Sequence, residues 1–364
     1  MYLKKILLSN FKNIKGVQLD FSRKFNCISG NNGEGKTNLL DAIYYLSMTK
    51  SYFSSTDAYT FTFGEDSTVI NGTYVLDDST EDSVSIGIKK DLEKTVKRNG
   101  KTYKRVSEHI GLYPIVMVSP SDTSLIMGSA DDRRKFLNAI LSQTDKEYLR
   151  QIQSYNQLLL QRNKLLKMPS ISFELLETID ERMSEYAQYI YQKRKILCMQ
   201  LQESVKEFYS QLSGSKENVE ISYVSDLHNG SLKDILHESR DKDALIRYTS
   251  KGIHKDDMEF LMCNMPLKRT GSQGQQKSFL VSLKLAQFTI MQNLYSLTPI
   301  LLLDDVFDKL DMQRVEYLLS LVSSERFGQI FISDSNKVRM ESILERFTTE
   351  CSSFSVEKGV YSVI

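Results

Sequence analysis

This 364-residue chain has few cysteines, almost no net charge and no long apolar run. Its four cysteines lie far apart and form no C-x-x-C pair, which argues against a zinc site or a disulfide framework and fits a reducing compartment. No stretch approaches the roughly 20 apolar residues that a membrane-spanning helix needs. The apolar run near the N-terminus is too short for the core of a signal peptide. We therefore expect a cytoplasmic protein that does not enter a membrane.

The overall charge excludes a general attraction to polyanions. The formal net charge is +1, so any nucleic-acid surface must come from local clusters. With 41% hydrophobic and 26% charged residues, the composition is that of an ordinary globular protein of one large domain or two. Function must therefore be sought in motifs.

The stretch GNNGEGKTN, residues 30–38, fits G-x-x-x-x-G-K-[ST] at every fixed position. A strand-like FNCIS precedes it and a helix-like TNLLDAIYYLSM follows, which is the context the motif requires. Such a loop holds the phosphates of ATP with backbone N–H groups and a helix N-terminus, while its lysine reaches the β and γ phosphates and its threonine ligates Mg²⁺. We predict nucleotide contacts from Gly30, Asn31, Asn32, Gly33, Glu34, Gly35, Lys36, Thr37 and Asn38.

Two acids follow the apolar run ILLL at residues 300–303. In open parallel sheets, ligands bind at the carboxyl ends of the strands. Asp304 is therefore predicted to hold Mg²⁺, and Asp305 to orient or deprotonate the attacking water, with Lys36 as its catalytic partner. The alternative is an acidic turn that caps the next element. Many ATPases carry Glu at the second position, and because Asp is one methylene shorter we expect slow hydrolysis.

The segment GSQGQQKS, residues 271–278, opens a long helical stretch and predicts a second anion site from Ser272, Gly274 and Gln275. One chain rarely needs two such sites for one triphosphate, whereas a homodimer does. In a dimer, Ser272 and Gly274 of one copy can close over the γ-phosphate held by the other. The alternative is a simple helix cap, with Ser272 in a capping box.

Residues 130–213 contain few helix breakers, and the second half has apolar residues at nearly heptad spacing. This pattern predicts an antiparallel helical hairpin, either an arm projecting from a head or an ordinary helical subdomain. We expect three parts: 1–120 as the N-terminal part of an ATPase head, 121–255 as a helical insertion, and 256–364 as the C-terminal part of the head. The apolar residues at nearly heptad spacing in the second half of the segment 130–213 are Ile179, Met183, Tyr186, Ile190, Leu197, Leu201, Val205, Phe208 and Leu212.

Basic clusters are the candidates for DNA contact. The segment 94–105 is a hairpin with Asn99-Gly100 as a type I′ turn, and it carries six basic residues and no acid. Arg133–Lys135 and Lys193–Lys195 form two further clusters. The absence of interleaved aromatic residues favours duplex backbone over stacked single strands, although solvated surface charge is the alternative. The hairpin residues predicted to contact DNA are Lys97, Arg98, Lys101, Lys104 and Arg105.

Together these motifs resemble an ABC-type ATPase head of the SMC and RecF group, in which a helical insertion separates the phosphate loop from the acidic strand. Within that group the chain is similar to the RecF family, through stretches that cover nearly its whole length. The most specific of these are VSPSDTSLIMGSADDRRKFLN and GIHKDDMEF. The chain departs from the usual pattern at Ile253, where proline is common, at Glu34, where a small residue is common, and at Asp334, where transporter cassettes have a histidine.

The resemblance implies a weak, DNA-stimulated ATPase that acts as a switch in DNA repair, replication and the SOS response to DNA damage. It implies an ATP-dependent homodimer on double-stranded and gapped DNA that works with RecR and RecO and, indirectly, with RecA. The alternatives are an ABC-type ATPase subunit of a transporter or chromosome-maintenance complex, and a DNA-binding scaffold with a vestigial nucleotide site. His254 is a candidate for either a sensing or a structural role.

Overall fold

The computed structural model describes residues 1–91, 93–214, 217–295, 297–307, 312–336, 340 and 351–364. The chain forms two compact units. The first comprises Met1–Asp122 and Gln287–Ile364, and the second comprises Thr123–Ala286. The second unit runs past residue 255, where the sequence predicted the insertion to end, and it includes the segment 271–278. The functional division into head and insertion stays a prediction.

Strands dominate the N-terminal part of the first unit. Its elements are β1 (Tyr2–Phe11), β2 (Ile14–Asp20), β3 (Phe25–Ser29), α1 (Lys36–Met48), β4 (Ser67–Val75), β5 (Glu81–Lys89), β6 (Lys94–Arg98), β7 (Lys101–Thr102) and β8 (Ile115–Val118).

Helices dominate the second unit. Its elements are α2 (Thr123–Met127), α3 (Ala130–Thr144), α4 (Lys146–Leu165), α5 (Phe173–Ser213), β9 (Val219–Val224), α6 (Leu232–Glu238), α7 (Arg240–Ile246), β10 (Asp257–Met262), β11 (Met265–Pro266), α8 (Leu267–Thr270) and the beginning of α9 (Gln273–Leu294).

The C-terminal part returns to the first unit. After the end of α9 come β12 (Ile300–Asp304), α10 (Met312–Ser323), β13 (Ile330–Asp334), β14 (Cys351–Glu357) and β15 (Val360–Val363). None of the helices in the described ranges is long and apolar enough to cross a membrane.

The first unit contains two six-stranded sheets. One is antiparallel with the order β2-β1-β4-β5-β6-β7. The other has the order β15-β14-β3-β13-β12-β8, and its strands are parallel except for β15. Helix α1 contacts strands of both sheets and is buried almost throughout. Both chain ends therefore share one core around α1.

Two local sequence predictions are confirmed in these elements. Asn99 and Gly100 have φ of 50° and 76°, which confirms the type I′ turn between β6 and β7. The predicted apolar seam of α5 is confirmed, since its members are buried, apart from the half-buried Tyr186. The first arm of the predicted helical hairpin is two helices, α3 and α4, and not one. Asp145 leaves helical geometry (φ −142°) and accepts a hydrogen bond from the Tyr148 N–H at 2.9 Å, so it ends α3 and caps α4.

A three-stranded antiparallel sheet in the second unit was not predicted. Its order is β11-β10-β9. The strand β9 lies in the segment that the sequence assigned to a helical insertion. Burial alternates along most of β9 and β10, so the period-2 signal of a half-buried strand was present in the sequence over these six-residue stretches and was not used.

Helices α4 and α5 pack antiparallel through buried ion pairs. Near the end of α4, Arg162 pairs with Asp180 of α5 at 2.6 Å and with Asp243 of α7 at 2.7 Å, and the side chains of all three are nearly inaccessible. Near the other end, Arg194 of α5 pairs with Asp256 at 2.8 Å. Arg194 was expected in an exposed basic cluster. That interpretation is wrong for this residue, because its charge is compensated inside the unit.

Removing the Arg162 guanidinium should leave two buried carboxylates without their cation. We expect Arg162→Ala to lower the free energy of unfolding by about 3–5 kcal/mol, measured by urea denaturation. Arg150→Ala is the matched control, because Arg150 pairs with Glu147 but is 72% exposed, and it should cost about 0–1 kcal/mol. Equal effects of the two variants would contradict the buried network.

Candidate nucleotide-binding site

The predicted phosphate loop joins β3 to α1, in the centre of the parallel sheet. Lys36 is the first residue of α1 and is 4% exposed. Its Nζ donates to the carbonyl oxygens of Gly30 at 2.8 Å and Asn31 at 3.1 Å. The ammonium group is therefore held inside the curve of the loop, beside the helix N-terminus, where an anion would receive both the charge and the free N–H groups.

Two glycines are required by the close packing of this loop. A Cβ on Gly30 would lie 2.5 Å from the carbonyl oxygen of Val356 in β14. Gly35 has φ of 125°, and a Cβ there would lie 3.1 Å from the side chain of Asn13. Larger residues at either position would displace the loop from the strands behind it.

The C-terminal hairpin β14–β15 supports the loop from outside. The Glu34 carboxylate accepts a hydrogen bond from the Lys358 N–H. The main-chain carbonyl oxygen of Glu34 accepts a second one from the Gly359 N–H at 2.8 Å. The Tyr361 hydroxyl donates to the carbonyl oxygen of Gly35 at 2.8 Å. Backbone N–H groups of the hairpin therefore satisfy the hydrogen-bonding capacity of Glu34, the one acid of this loop. Glu34 was predicted to contact nucleotide, and its observed contacts account for it without one.

The acidic motif meets the loop at the carboxyl edge of the sheet. The Thr37 hydroxyl donates to the Asp304 carboxylate, with distances of 2.9 and 3.1 Å to its two oxygens. Ser333 of β13, the strand between β3 and β12, donates to the same carboxylate at 2.7 Å. The Asp305 N–H donates to the carbonyl oxygen of Ser333 at 3.1 Å. Ser333 was not singled out from the sequence, because its role depends on strand order.

The oxygen atoms at this edge fit a magnesium ion. Asp304 is 3% exposed, and burial raises its pKa above the ordinary value, with the carboxylate of Asp305 adding to the effect and Ser333 and Thr37 opposing it. A buried carboxylate next to a hydroxyl favours a hard cation. The described residues contain no group of three or more His, Cys, Asp or Glu side chains placed to hold a metal ion. Magnesium is typically held by one or two carboxylates together with substrate phosphates, which this arrangement matches.

A pocket of about 130 Å³ lies over the loop and is bordered by Gly33, Lys36, Thr37, Asn38 and Asp305, among others. This volume is well below the roughly 300–1,000 Å³ of pockets that enclose drug-sized ligands. The pocket has room for phosphate groups, and the remainder of a nucleotide would have to lie against other surfaces. Asp305 faces this pocket with φ of 45°, a conformation that Asp tolerates better than most residues.

The segment 271–278 belongs to the second unit. The Ser272 hydroxyl accepts from the Gln275 N–H at 3.3 Å, and the Gln275 side-chain oxygen accepts from the Ser272 N–H at 2.7 Å. This is the capping box that the sequence allowed as an alternative. Gln275 also donates to Glu217 at 2.9 Å. Ser272 remains exposed at the start of α9, so the cap and a role toward a partner's phosphate are compatible.

Of the six basic residues in the hairpin 94–105, two pair with acids and four pair with no acid among the described residues. Arg98 donates to the Asp82 carboxylate at 3.0 Å, and Lys94 pairs with Asp57 at 2.6 Å. The remaining four basic side chains are exposed, and in the described part of the chain none of them forms an ion pair: Lys97, Lys101, Lys104 and Arg105. In the second cluster, Arg133 forms a two-pronged pair with Asp257 at 2.6 and 2.9 Å. The hairpin therefore keeps most of its predicted surface charge, without Arg98.

His254 is held by two hydrogen bonds within the second unit. Burial lowers its pKa to about 4, so the ring is neutral at neutral pH. The Thr249 carbonyl oxygen at 3.1 Å can only accept, so Nε2 carries the proton and Nδ1 accepts from the Tyr155 hydroxyl at 2.9 Å. These contacts favour the structural interpretation of His254.

The fold and this edge of the sheet define an ABC-type ATPase head, formed by both ends of the chain. The family model described as the RecF/RecN/SMC N terminal domain matches residues 2–351. The DNA replication and repair protein RecF of Bacteroides fragilis strain YCH46 is 44% identical over 360 residues, covering 99% of this chain and 97% of the relative. RecF of Parabacteroides distasonis is 45% identical over 359 residues, covering 99% and 98%. The chain belongs to the RecF family.

Solved structures agree with this assignment. The structure described as the recombination mediator protein RecF-ATP in the RecFOR pathway superposes with a TM-score of 0.91 at 31% identity, covering 100% of this chain and 97% of the other. The Smc head domain of Pyrococcus furiosus superposes with a TM-score of 0.58 at 16% identity, covering 100% and 96%, which supports the fold alone. The predicted fold class and family are thus confirmed.

Loss of the Lys36 ammonium should remove the main cation that faces the phosphates. We expect Lys36→Ala to abolish ATP binding, measured by isothermal titration with Mg²⁺-ATP. Lys358→Ala is the matched control, because Lys358 contacts the loop through its backbone N–H, which the substitution keeps. ATP affinity of the Lys36→Ala variant equal to that of the unmodified protein would contradict the site.

Proposed function

We propose that the protein is an ATP-dependent DNA-binding protein of recombinational repair and replication. In this proposal it dimerises on ATP over DNA at gaps and single/double-strand junctions, and it helps to load RecA together with RecO and RecR. The observation that carries the proposal is the contact of Thr37 with Asp304, which joins the two nucleotide motifs 267 positions apart. Full-length similarity to proteins named for DNA replication and repair supports the biological role.

The nucleotide chemistry follows from the groups at the sheet edge. Lys36 and the N–H groups of α1 would bind the ATP phosphates, and Thr37 and Asp304 would hold Mg²⁺ between them. When bound, Mg²⁺ would neutralise charge on the β and γ phosphates. Asp305 would orient the attacking water. Its short side chain supports slow hydrolysis. We propose in addition that this weak ATPase is stimulated by DNA and acts as a switch.

A second copy of the chain is the proposed source of the missing half of the site. The pocket over the loop accommodates phosphates only, while Ser272 and Gly274 lie at the start of a 22-residue helix, where an anion is favoured. We assign Ser272, Gly274 and Gln275 to the γ-phosphate bound by the partner copy. ATP would then act as a bridge between two heads, and hydrolysis would release them.

The four free charges of the hairpin are the proposed DNA contacts. Lys97, Lys101, Lys104 and Arg105 are exposed and carry no compensating acid in the described residues, so they can neutralise backbone phosphates. Arg98 is less suited to this role because Asp82 already holds its guanidinium.

The role of Ser272 can be tested by a bulky cation at its position. We expect Ser272→Arg to leave ATP binding intact and to prevent ATP-driven dimerisation, measured by sedimentation velocity with and without Mg²⁺-ATP. Ser272→Asn is the matched control, because Asn also caps helices and can donate to a phosphate, and it should still dimerise. Dimerisation of Ser272→Arg with ATP would refute the composite site.

The DNA role can be tested by filter binding to duplex, single-stranded and gapped DNA with and without ATP. We expect ATP to strengthen binding to duplex and gapped DNA. Lys97→Glu and Lys101→Glu should each weaken that binding and lower the salt slope by about 1. Lys89→Glu is the control, since Lys89 is exposed but pairs with Glu93. Binding that is independent of ATP on every substrate would contradict the proposal.

A further inference from the structure

The second unit contains a polar cleft that the nucleotide site does not use. Its volume is about 540 Å³, and the described residues that line it all belong to β9, α7 and the turns that follow them. Three lysines border it, Lys242, Lys251 and Lys255, against one acid, Asp226. The cleft is therefore electropositive in a chain whose formal net charge is only +1.

Two of these lysines are available to an anion. Lys251 pairs with Asp226 at 2.8 Å. In the part of the chain that the structure describes, Lys242 and Lys255 form no ion pair, and both are exposed. An anion in the cleft would meet two uncompensated ammonium groups, which is the pattern of a phosphate-binding surface.

The walls of the cleft are held in place by partly buried hydrogen bonds. The Asp226 carboxylate accepts from the Gly252 N–H at 3.1 Å. Asp243, which is fully buried and paired with Arg162, accepts from the Ser250 N–H at 3.0 Å. The turn that follows α7 is thus tied to the Arg162 ion-pair network, and the turn that follows β9 is bonded to it through Asp226 and Gly252. The cleft is preformed, so a ligand would not have to order it.

An aromatic ring stands at the edge of the cleft. Tyr248 is 48% exposed, and the Lys255 ammonium lies 5.5 Å from the centre of its ring. An exposed ring next to uncompensated lysines is the arrangement on which proteins stack a base while they hold its phosphate. Tyr248 lies seven positions before Lys255 and six after Lys242, so the fold of this turn brings the ring and the two lysines together.

We propose that this cleft binds one nucleotide unit of single-stranded nucleic acid, with its phosphate at Lys242 and Lys255 and its base stacked on Tyr248. The volume lies within the roughly 300–1,000 Å³ of ligand pockets and is suited to a single nucleotide. Paired bases in a duplex are not free to stack on the ring. The site would let the protein hold the unpaired strand of a gapped substrate, which extends the proposed function.

The test uses the full chain and a fluorescent short oligothymidylate without ATP, measured by anisotropy. We expect Tyr248→Ala to weaken binding about 5- to 150-fold, the range for loss of one stacked base, while Tyr248→Phe retains it. Lys242→Glu with Lys255→Glu should weaken binding and reduce its salt dependence. Lys206→Glu, an exposed lysine of α5 outside the cleft, is the control and should change little.

Each competing outcome overturns the proposal. These are the absence of oligothymidylate binding, unchanged binding by Tyr248→Ala, an equal loss with Lys206→Glu, and competition by duplex as strong as by the single strand. Thermal midpoints equal to that of the unmodified protein exclude unfolding as the cause of a loss. ATP-dependent duplex binding, measured on the same variants, is expected to persist, so failure of the cleft and failure of the proposed clamp give different results.

Discussion

The hydrogen bond from Thr37 to Asp304 is the constraint on which the nucleotide site depends. The two residues lie 267 positions apart, and they meet because β13 lies between β3 and β12 in a parallel sheet whose carboxyl ends share one edge. The helix that carries Thr37 is buried against strands of both sheets. Any shift of α1 or of the C-terminal strands would separate the hydroxyl from the carboxylate. The geometry of the nucleotide site therefore depends on the packing of the core of the first unit.

The C-terminal hairpin also holds the phosphate loop in place, through hydrogen bonds to Glu34 and Gly35. Backbone N–H groups of β14–β15 satisfy Glu34, and Tyr361 holds the carbonyl oxygen of Gly35. A glycine-rich loop has high conformational entropy, and these bonds restrict it before any ligand arrives. An acid beside a triphosphate site is tolerable here because its carboxylate is directed to the hairpin. The last residues of the chain thus act on the first motif.

The distribution of charge separates structural from exposed basic groups. Arg162 and Arg194 are buried with carboxylate partners, and Arg133 is held by Asp257. Such pairs fix helices to neighbouring turns, and breaking them is costly because the remaining charge stays buried. Lys97 and Lys101 on the hairpin, like Lys242 and Lys255 at the cleft, keep their charge at the surface. A net charge near zero therefore conceals local basic surfaces.

The phosphate loop, the acidic strand, the Asn99-Gly100 turn and the apolar seam of α5 could be predicted from the sequence, because each follows from local backbone preferences or a short spacing rule. The family resemblance was also visible there. In contrast, the free charges, the contacts of Ser333 and Tyr361, and the reason that Glu34 is tolerated became apparent only in the folded chain. Cys27 and Cys351 illustrate the reason: distant in sequence, they lie on neighbouring strands with sulfurs 3.9 Å apart. Contacts of this kind depend on strand order and packing, which no local pattern encodes.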